Sequence, residues 1–265
     1  MVGKITKEPG KVRSLLLALL IILLAGCLPL TTPLPPEPTA TPQPTATSTA
    51  TVVWFPPTDT PTPFPTLVIS PTLEIQPPSG GEVIFSDDFR DPAQWLLGQT
   101  ETTSIALGNK ALTLALDQPG AYLYTLRNSP TLTDFYLEVT ASPSICRDGD
   151  EYGLLLRVST ALDFYRFSLY CDGSVRLDKY YNGRASSPVP KTLSGSVPPG
   201  APSSSRLAVW AKGKEMRFYI NGEYQFDLKD PTLLQGDLGF FIRSAGDNAV
   251  TISFSDLIVR KAASQ

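Results

Sequence analysis

The sequence predicts an all-β, antiparallel sandwich for residues 81–262, on three observations. Apolar and polar residues alternate at period two in run after run. Turn-forming pairs interrupt the alternation about every ten residues, and helical periodicity is almost absent. Residues 104–107 and 111–116 flank a Gly108-Asn109 turn. Phe135, Leu137 and Val139 then alternate with Asp134, Tyr136 and Glu138. The run Leu154, Leu156, Val158 is followed, after a short polar break, by Tyr165, Phe167 and Leu169. Asp172-Gly173 and Asn182-Gly183 bracket a strand over 174–181. Leu207 and Val209, then Met216, Phe218 and Ile220, then Tyr224, Phe226 and Leu228 form a meander, and its second turn is Asn221-Gly222. Such a pair between alternating strands is a strong hairpin signal, because both turn residues must take positive φ. Strands over 237–242 and 249–260 complete the set. About a dozen strands in a single domain call for two packed antiparallel sheets.

Composition divides the chain into three parts. Of 26 prolines in 265 residues, 15 fall between positions 28 and 80, together with 13 threonines. Proline removes backbone donors, and so little apolar surface cannot offset the entropy of ordering, so this stretch reads as a disordered tether. At polyproline-II rise it would reach up to about 160 Å. Residues 1–26 differ again: Lys4, Lys7, Lys11 and Arg13 precede an apolar run over 15–25. Eleven apolar residues are too few to span a bilayer as a helix, which fits a secretory signal. The predicted organisation is a signal peptide (1–26), a linker beginning at Cys27 (27–80) and the β-sandwich (81–262).

The signal ends in Leu24-Ala25-Gly26-Cys27, which resembles the bacterial lipobox. The resemblance implies lipidation of the Cys27 thiol and cleavage before it. It also implies a membrane partner through the lipid and residence on the extracytoplasmic side of the cell membrane. More than one acyl chain makes such an anchor durable, at about 0.8 kcal/mol per buried methylene.

Exclusions are as informative. The chain has no histidine, so Ser-His-Asp and Cys-His catalysis and imidazole metal sites are absent. Three cysteines without Cys-x-x-Cys spacing cannot form a thiolate zinc site. Beyond residue 26 the chain has 18 basic and 24 acidic groups, a net −6, so nucleic acid is not an expected partner.

Several segments of the predicted sandwich, in order, carry a resemblance to a known family. They are Phe85-Ser86-Asp87-Asp88-Phe89 with Trp95, the run 151–157 from Glu151 to Arg157, Asp163-Phe164-Tyr165, Tyr219-Ile220-Asn221-Gly222, 236–241 and 252–257. Together they resemble the concanavalin A-like lectin/glucanase superfamily, nearest to laminin-G-like and 3-keto-disaccharide hydrolase domains. The resemblance implies a jelly-roll topology. It bears little on activity, since its motifs are turns and core positions.

Cys146 and Cys171 are expected to form a disulfide, two unpaired thiols being the alternative. Pairing 151–158 with 163–171 as a hairpin brings their backbones together.

Three chemistries then compete. Glucanases of this fold use a Glu-x-Asp-x-x-Glu strand motif, and none of Glu82, Glu101, Glu138, Glu151, Glu215 and Glu223 is so placed. Hydrolysis therefore stays an alternative, requiring a carboxylate pair assembled across strands at about 5 Å or about 6.5–9.5 Å. Asp148, Asp150 and Glu151 put three carboxylates around Gly149 and leave calcium open as a ligand, against the plainer reading of a solvated turn. Finally, strand alternation sends Arg157, Arg166, Tyr170, Arg176, Asp178, Tyr180, Tyr136 and Glu138 away from the core. Aromatic rings interspersed with charges suit a sugar, whose C–H faces stack on rings and whose hydroxyls bond to charges. The expected function is display of a non-catalytic carbohydrate- or polymer-binding module, with glycoside processing and protein interaction as alternatives. No cofactor is called for.

Overall fold

The computed structural model describes residues 81–263 apart from position 247. The signal-like segment, Cys27 and the Thr/Pro tether lie outside the described residues. Among those described are fifteen strands. The first eight are β1 (Val83–Asp87), β2 (Gly98–Gln99), β3 (Thr103–Gly108), β4 (Ala111–Leu116), β5 (Tyr122–Leu126), β6 (Phe135–Ile145), β7 (Glu151–Thr160) and β8 (Asp163–Tyr170). The rest are β9 (Ser174–Tyr181), β10 (Arg184–Leu193), β11 (Ser205–Lys212), β12 (Glu215–Ile220), β13 (Glu223–Lys229), β14 (Asp237–Arg243) and β15 (Val250–Lys261).

They form two antiparallel sheets. The nine-stranded sheet has the order β13-β12-β11-β6-β15-β4-β3-β2, with β1 also on β15, and the six-stranded sheet has the order β10-β9-β8-β7-β14-β5. Strand β15 is long enough to serve two partners: residues 250–255 pair with β4 and 257–260 with β1. Asp256, at φ 54°, is the irregularity between the two halves. Strand neighbours far apart in sequence, such as β6 with β15 and β7 with β14, make this the predicted jelly-roll sandwich.

Period-two alternation supplies the core. Leu112, Leu114, Leu137, Val139, Leu207, Val209, Phe218, Ile252 and Phe254 of one sheet meet Leu154, Leu156, Tyr165, Phe167, Leu177, Phe240 and Ile242 of the other. Phe240 stacks on Phe254 at 4.3 Å, and Phe167 meets Phe218 at 4.9 Å. Each such side chain contributes about 1.5–3 kcal/mol by leaving water. The Phe-Ser-Asp-Asp-Phe segment has a structural purpose. Asp87 accepts hydrogen bonds from the Phe89 backbone (2.8 Å), the Trp95 indole (3.0 Å) and Arg127 (3.2 Å), while Trp95 stacks on Phe240.

The turns follow their residues. Asn182-Gly183 and Asn221-Gly222 take positive φ at both positions, as two-residue hairpins demand. The turn expected at Gly108-Asn109 sits one residue later, with positive φ at Asn109 and Lys110. The alternation reading has no strand at β10, because Pro188 and Pro190 interrupt it. Prolines are tolerated there because β10 is an edge with broken register against β9. Cys146 and Cys171 are disulfide-bonded, Cα to Cα 5.8 Å, joining the end of β6 to the end of β8 and so one sheet to the other.

Candidate functional site

The outer face of the six-stranded sheet assembles rows of side chains from strands distant in sequence. Tyr122, Arg243, Glu151 and Tyr170 are successive cross-strand neighbours on β5, β14, β7 and β8. The next row is Tyr124, Phe241, Gly153, Ser168 and Arg176. A third runs Leu155, Arg166, Asp178, and a fourth pairs Phe164 with Tyr180. Alternation alone puts these residues on one face. The sheet order then decides which rows meet.

At the centre is a charged network almost withdrawn from water. Arg166 is 9% exposed, and Glu151 and Asp178 are each 1% exposed. Arg166 Nη2 donates to Asp178 at 2.8 Å and lies 3.8 Å from Glu151 Oε2. Arg243 Nη1 donates to Glu151 Oε1 at 2.7 Å. The second Asp178 oxygen accepts from Arg176 (2.7 Å) and Ser187 (2.6 Å). Burial works against the charge of Arg166, but Glu151 and Asp178 more than offset it and hold its pKa above the ordinary arginine value. Its guanidinium lies near the rings of Tyr180 (5.3 Å), Phe241 (5.5 Å) and Tyr122 (6.0 Å). Burial, and after it Glu151, pushes the Tyr170 hydroxyl above the usual tyrosine value, so it is a neutral donor at physiological pH.

Three buried polar atoms of this face have no hydrogen-bond partner: Glu151 Oε2, Arg166 Nε and Ser168 Oγ. Leaving such groups unpaired costs about 1–3 kcal/mol each. Gly153 makes room here, since a Cβ would come within 2.0 Å of the Phe167 carbonyl oxygen. The absent side chain leaves its row to Phe241, on which Tyr122 stacks at 5.5 Å. Beside the network lies a cavity of ≈210 Å³ lined by Tyr122, Tyr124, Leu126, Leu155, Phe164 and Asp237, among others. Phe164 stacks on Tyr180 at 4.5 Å along its border.

Of the residues singled out from sequence, Arg166, Tyr170, Arg176, Asp178 and Tyr180 share this face. Tyr136 and Glu138 do not. They belong to β6 and project from the outer side of the nine-stranded sheet, where Glu138 accepts from Arg206 at 3.1 Å. Arg157 does not share it either. It takes φ 50° at a register shift in β7, which turns its side chain inward to donate to the Leu233 carbonyl at 2.9 Å. Leu155 and Val158 consequently share the outer face although three residues apart.

The acidic trio does not converge. Both Asp150 oxygens accept backbone N–H groups, from Arg147 and Ala245, at 2.9 Å, while Glu151 enters the arginine network. Asp148 is exposed at φ 47°. Among the described residues no three Cys, Asp or Glu side chains are grouped to hold a metal. Sequence reasoning did not assign Tyr122, Tyr124, Phe241 and Arg243 to the face. Their strands β5 and β14 join it only through long-range pairing, which local alternation does not show.

No family model matches the sequence, and no curated protein does. Solved structures do resemble the fold. A carbohydrate-binding module, CBM66, from Bacillus subtilis is 17% identical with a TM-score of 0.50, covering 63% of this chain and 96% of that one. A protein of unknown function with a galectin-like fold, also from Bacillus subtilis, is 15% identical with a TM-score of 0.54, covering 71% and 99%. The catalytic domain of an endo-1,3-β-glucanase (laminarinase) from Thermotoga petrophila is 10% identical with a TM-score of 0.51, covering 69% and 98%. At such identities the likeness is one of fold.

Proposed function

We propose that this chain is a lipid-anchored surface protein whose β-sandwich binds carbohydrate, without catalysis, on the outer face of the six-stranded sheet. The observation that carries the reading is the set of unpaired buried atoms on Glu151, Arg166 and Ser168, bordered by the rings of Tyr122, Phe164, Tyr170 and Tyr180. Sugar hydroxyls both donate and accept, as these atoms require, and sugar C–H faces suit the rings. The glycan-related neighbours of the same fold support the reading by analogy. Binding is favoured over hydrolysis because Glu151 and Asp178 are each engaged by two arginines. Neither is left free to pass on a proton, as hydrolysis requires. The lipid anchor rests on Leu24-Ala25-Gly26-Cys27 after its basic and apolar leader.

The test is glycan-array binding by the full chain in detergent micelles, with calcium and with a chelator. Selective binding that is lost in Tyr180→Ala is expected. Absence of binding in both conditions would replace this account with a protein-interaction role. For the anchor, Cys27→Ser should accumulate as unprocessed precursor, and unchanged processing and membrane attachment would refute it.

A further inference from the structure

The outer face of the nine-stranded sheet carries a second cluster. Tyr136, Ala208, Trp210 and Tyr219 pack together there with Tyr224 and Ala262. All four point away from the core, since their strand neighbours Leu137, Leu207, Val209, Phe218 and Ile220 fill it. Side chains on the outer face of a sheet keep their tips in water unless a further layer lies over them. Yet Trp210 is 5% exposed, Tyr136 5% and Tyr219 0%. Arg217, 4.9 Å over the Trp210 ring, and Tyr224, 5.9 Å from Tyr219, stand beside these residues on the same sheet.

From this face and the residues that precede β1, we propose that the end of the tether, residues 67–75, docks over this cluster as an extended strap. Its sequence is Leu67-Val68-Ile69-Ser70-Pro71-Thr72-Leu73-Glu74-Ile75. Every odd position is apolar and all the even ones but Val68 are polar, so in extended form it presents one apolar edge. The chain enters the domain at the right place. The Gly81 N–H donates to the Lys261 carbonyl at 2.9 Å, and Lys261 adjoins Ala262 of the cluster. Residues 76–80 can extend by up to about 17 Å, while the three strand spacings from β15 to β12 amount to about 14 Å. Charge agrees as well: Glu74 is the only charged residue of 67–80, and Lys212 and Arg217 lie on this face. The proposal does not depend on what the six-stranded sheet's outer face binds.

Hydroxyl-radical footprinting of the full chain in detergent micelles tests it, with buried Trp95 as the internal control. In the wild type, Trp210 should label as slowly as Trp95. In the Ile69→Asp/Leu73→Asp variant, labelling of Trp210 should rise about tenfold with Trp95 unchanged. Hydrogen exchange on the wild type gives a second reading that needs no variant: amides of 67–75 should exchange at least about tenfold more slowly than those of 38–47. Fast labelling of Trp210 in the wild type, no change in the variant, or unprotected amides in 67–75 would each overturn the proposal. Protection that appears only as the protein dimerises would overturn it too, in favour of a second copy on this face.

Discussion

The outer faces of the two sheets are built by the same alternation yet carry different chemistry. On the six-stranded sheet Glu151, Arg166 and Asp178 are ringed by tyrosines, and three polar atoms lack partners. On the nine-stranded sheet the corresponding layer is Tyr136, Ala208, Trp210 and Tyr219, with charges confined to its margin at Glu138, Arg206, Glu215 and Arg217. Apolar residues on an outer face gain from any apolar cover, whereas a buried polar network with open valences gains only from a partner that can hydrogen-bond. The first face therefore asks for chemistry and the second for shape.

Four experiments would break or sharpen that contrast. The largest effect is expected from Arg166→Ala, which takes one of its two arginine partners from each of two buried carboxylates and should cost about 1.5–3 kcal/mol in urea unfolding. Arg217→Ala removes a partly exposed ion pair and a ring contact and should cost no more than about 1 kcal/mol. Equal losses would erase the distinction between the faces. Next, Tyr180→Leu should weaken glycan affinity about tenfold, by loss of ring contact, while Tyr136→Leu leaves affinity unchanged in the same titration.

A third effect concerns the joint between the sheets, where Lys179 of β9 donates to Asp230, just beyond β13, at 2.6 Å. Burial works to raise the Asp230 pKa, but the bonds from Lys179 and Thr232 win and hold it below the ordinary carboxylate value. A lowered folded-state pKa gives stability that is present above the unfolded value, about 3.9, and lost as pH falls through the folded one. Unfolding measured from pH 6 to pH 2.5 should show the wild type losing up to about 1 kcal/mol more than Asp230→Asn. The smallest change in stability pairs two buried hydroxyls without partners, Ser168 and Tyr219. Ser168→Ala and Tyr219→Phe should each shift stability by less than about 1 kcal/mol. Only Ser168→Ala should also reduce glycan binding, and loss of binding in Tyr219→Phe would place the site on the wrong sheet.

Much of the fold was legible because it is local. Asn182-Gly183 and Asn221-Gly222 need no tertiary context to make hairpins, and the apolar positions of β8, β9, β11 and β12, and of β7 as far as Leu156, alternate as written. About half of the candidate face was legible for the same reason: Arg166, Tyr170, Arg176, Asp178 and Tyr180 lie on the consecutive strands β8 and β9. Two kinds of information were not local. A single φ of 50° at Arg157 inverted the parity beyond it, because a bulge depends on what the neighbouring strands must accommodate. Membership of a sheet was invisible too. Tyr136 and Glu138 obey the same alternation as Tyr180, but β6 belongs to the other layer.

By itself, then, the sequence determined the all-β class, the positions of most turns, the inward set of apolar residues and the absence of imidazole chemistry. These depend on composition and on neighbours one to three residues away. Only the tertiary structure decided that Glu151 belongs with Arg166 and Arg243, that Tyr122 and Phe241 complete their surroundings, and that Tyr136 joins Trp210 instead. Those groupings arise from strand order, which is settled by which sheets can bury their apolar faces against each other. No local period in the chain records that choice.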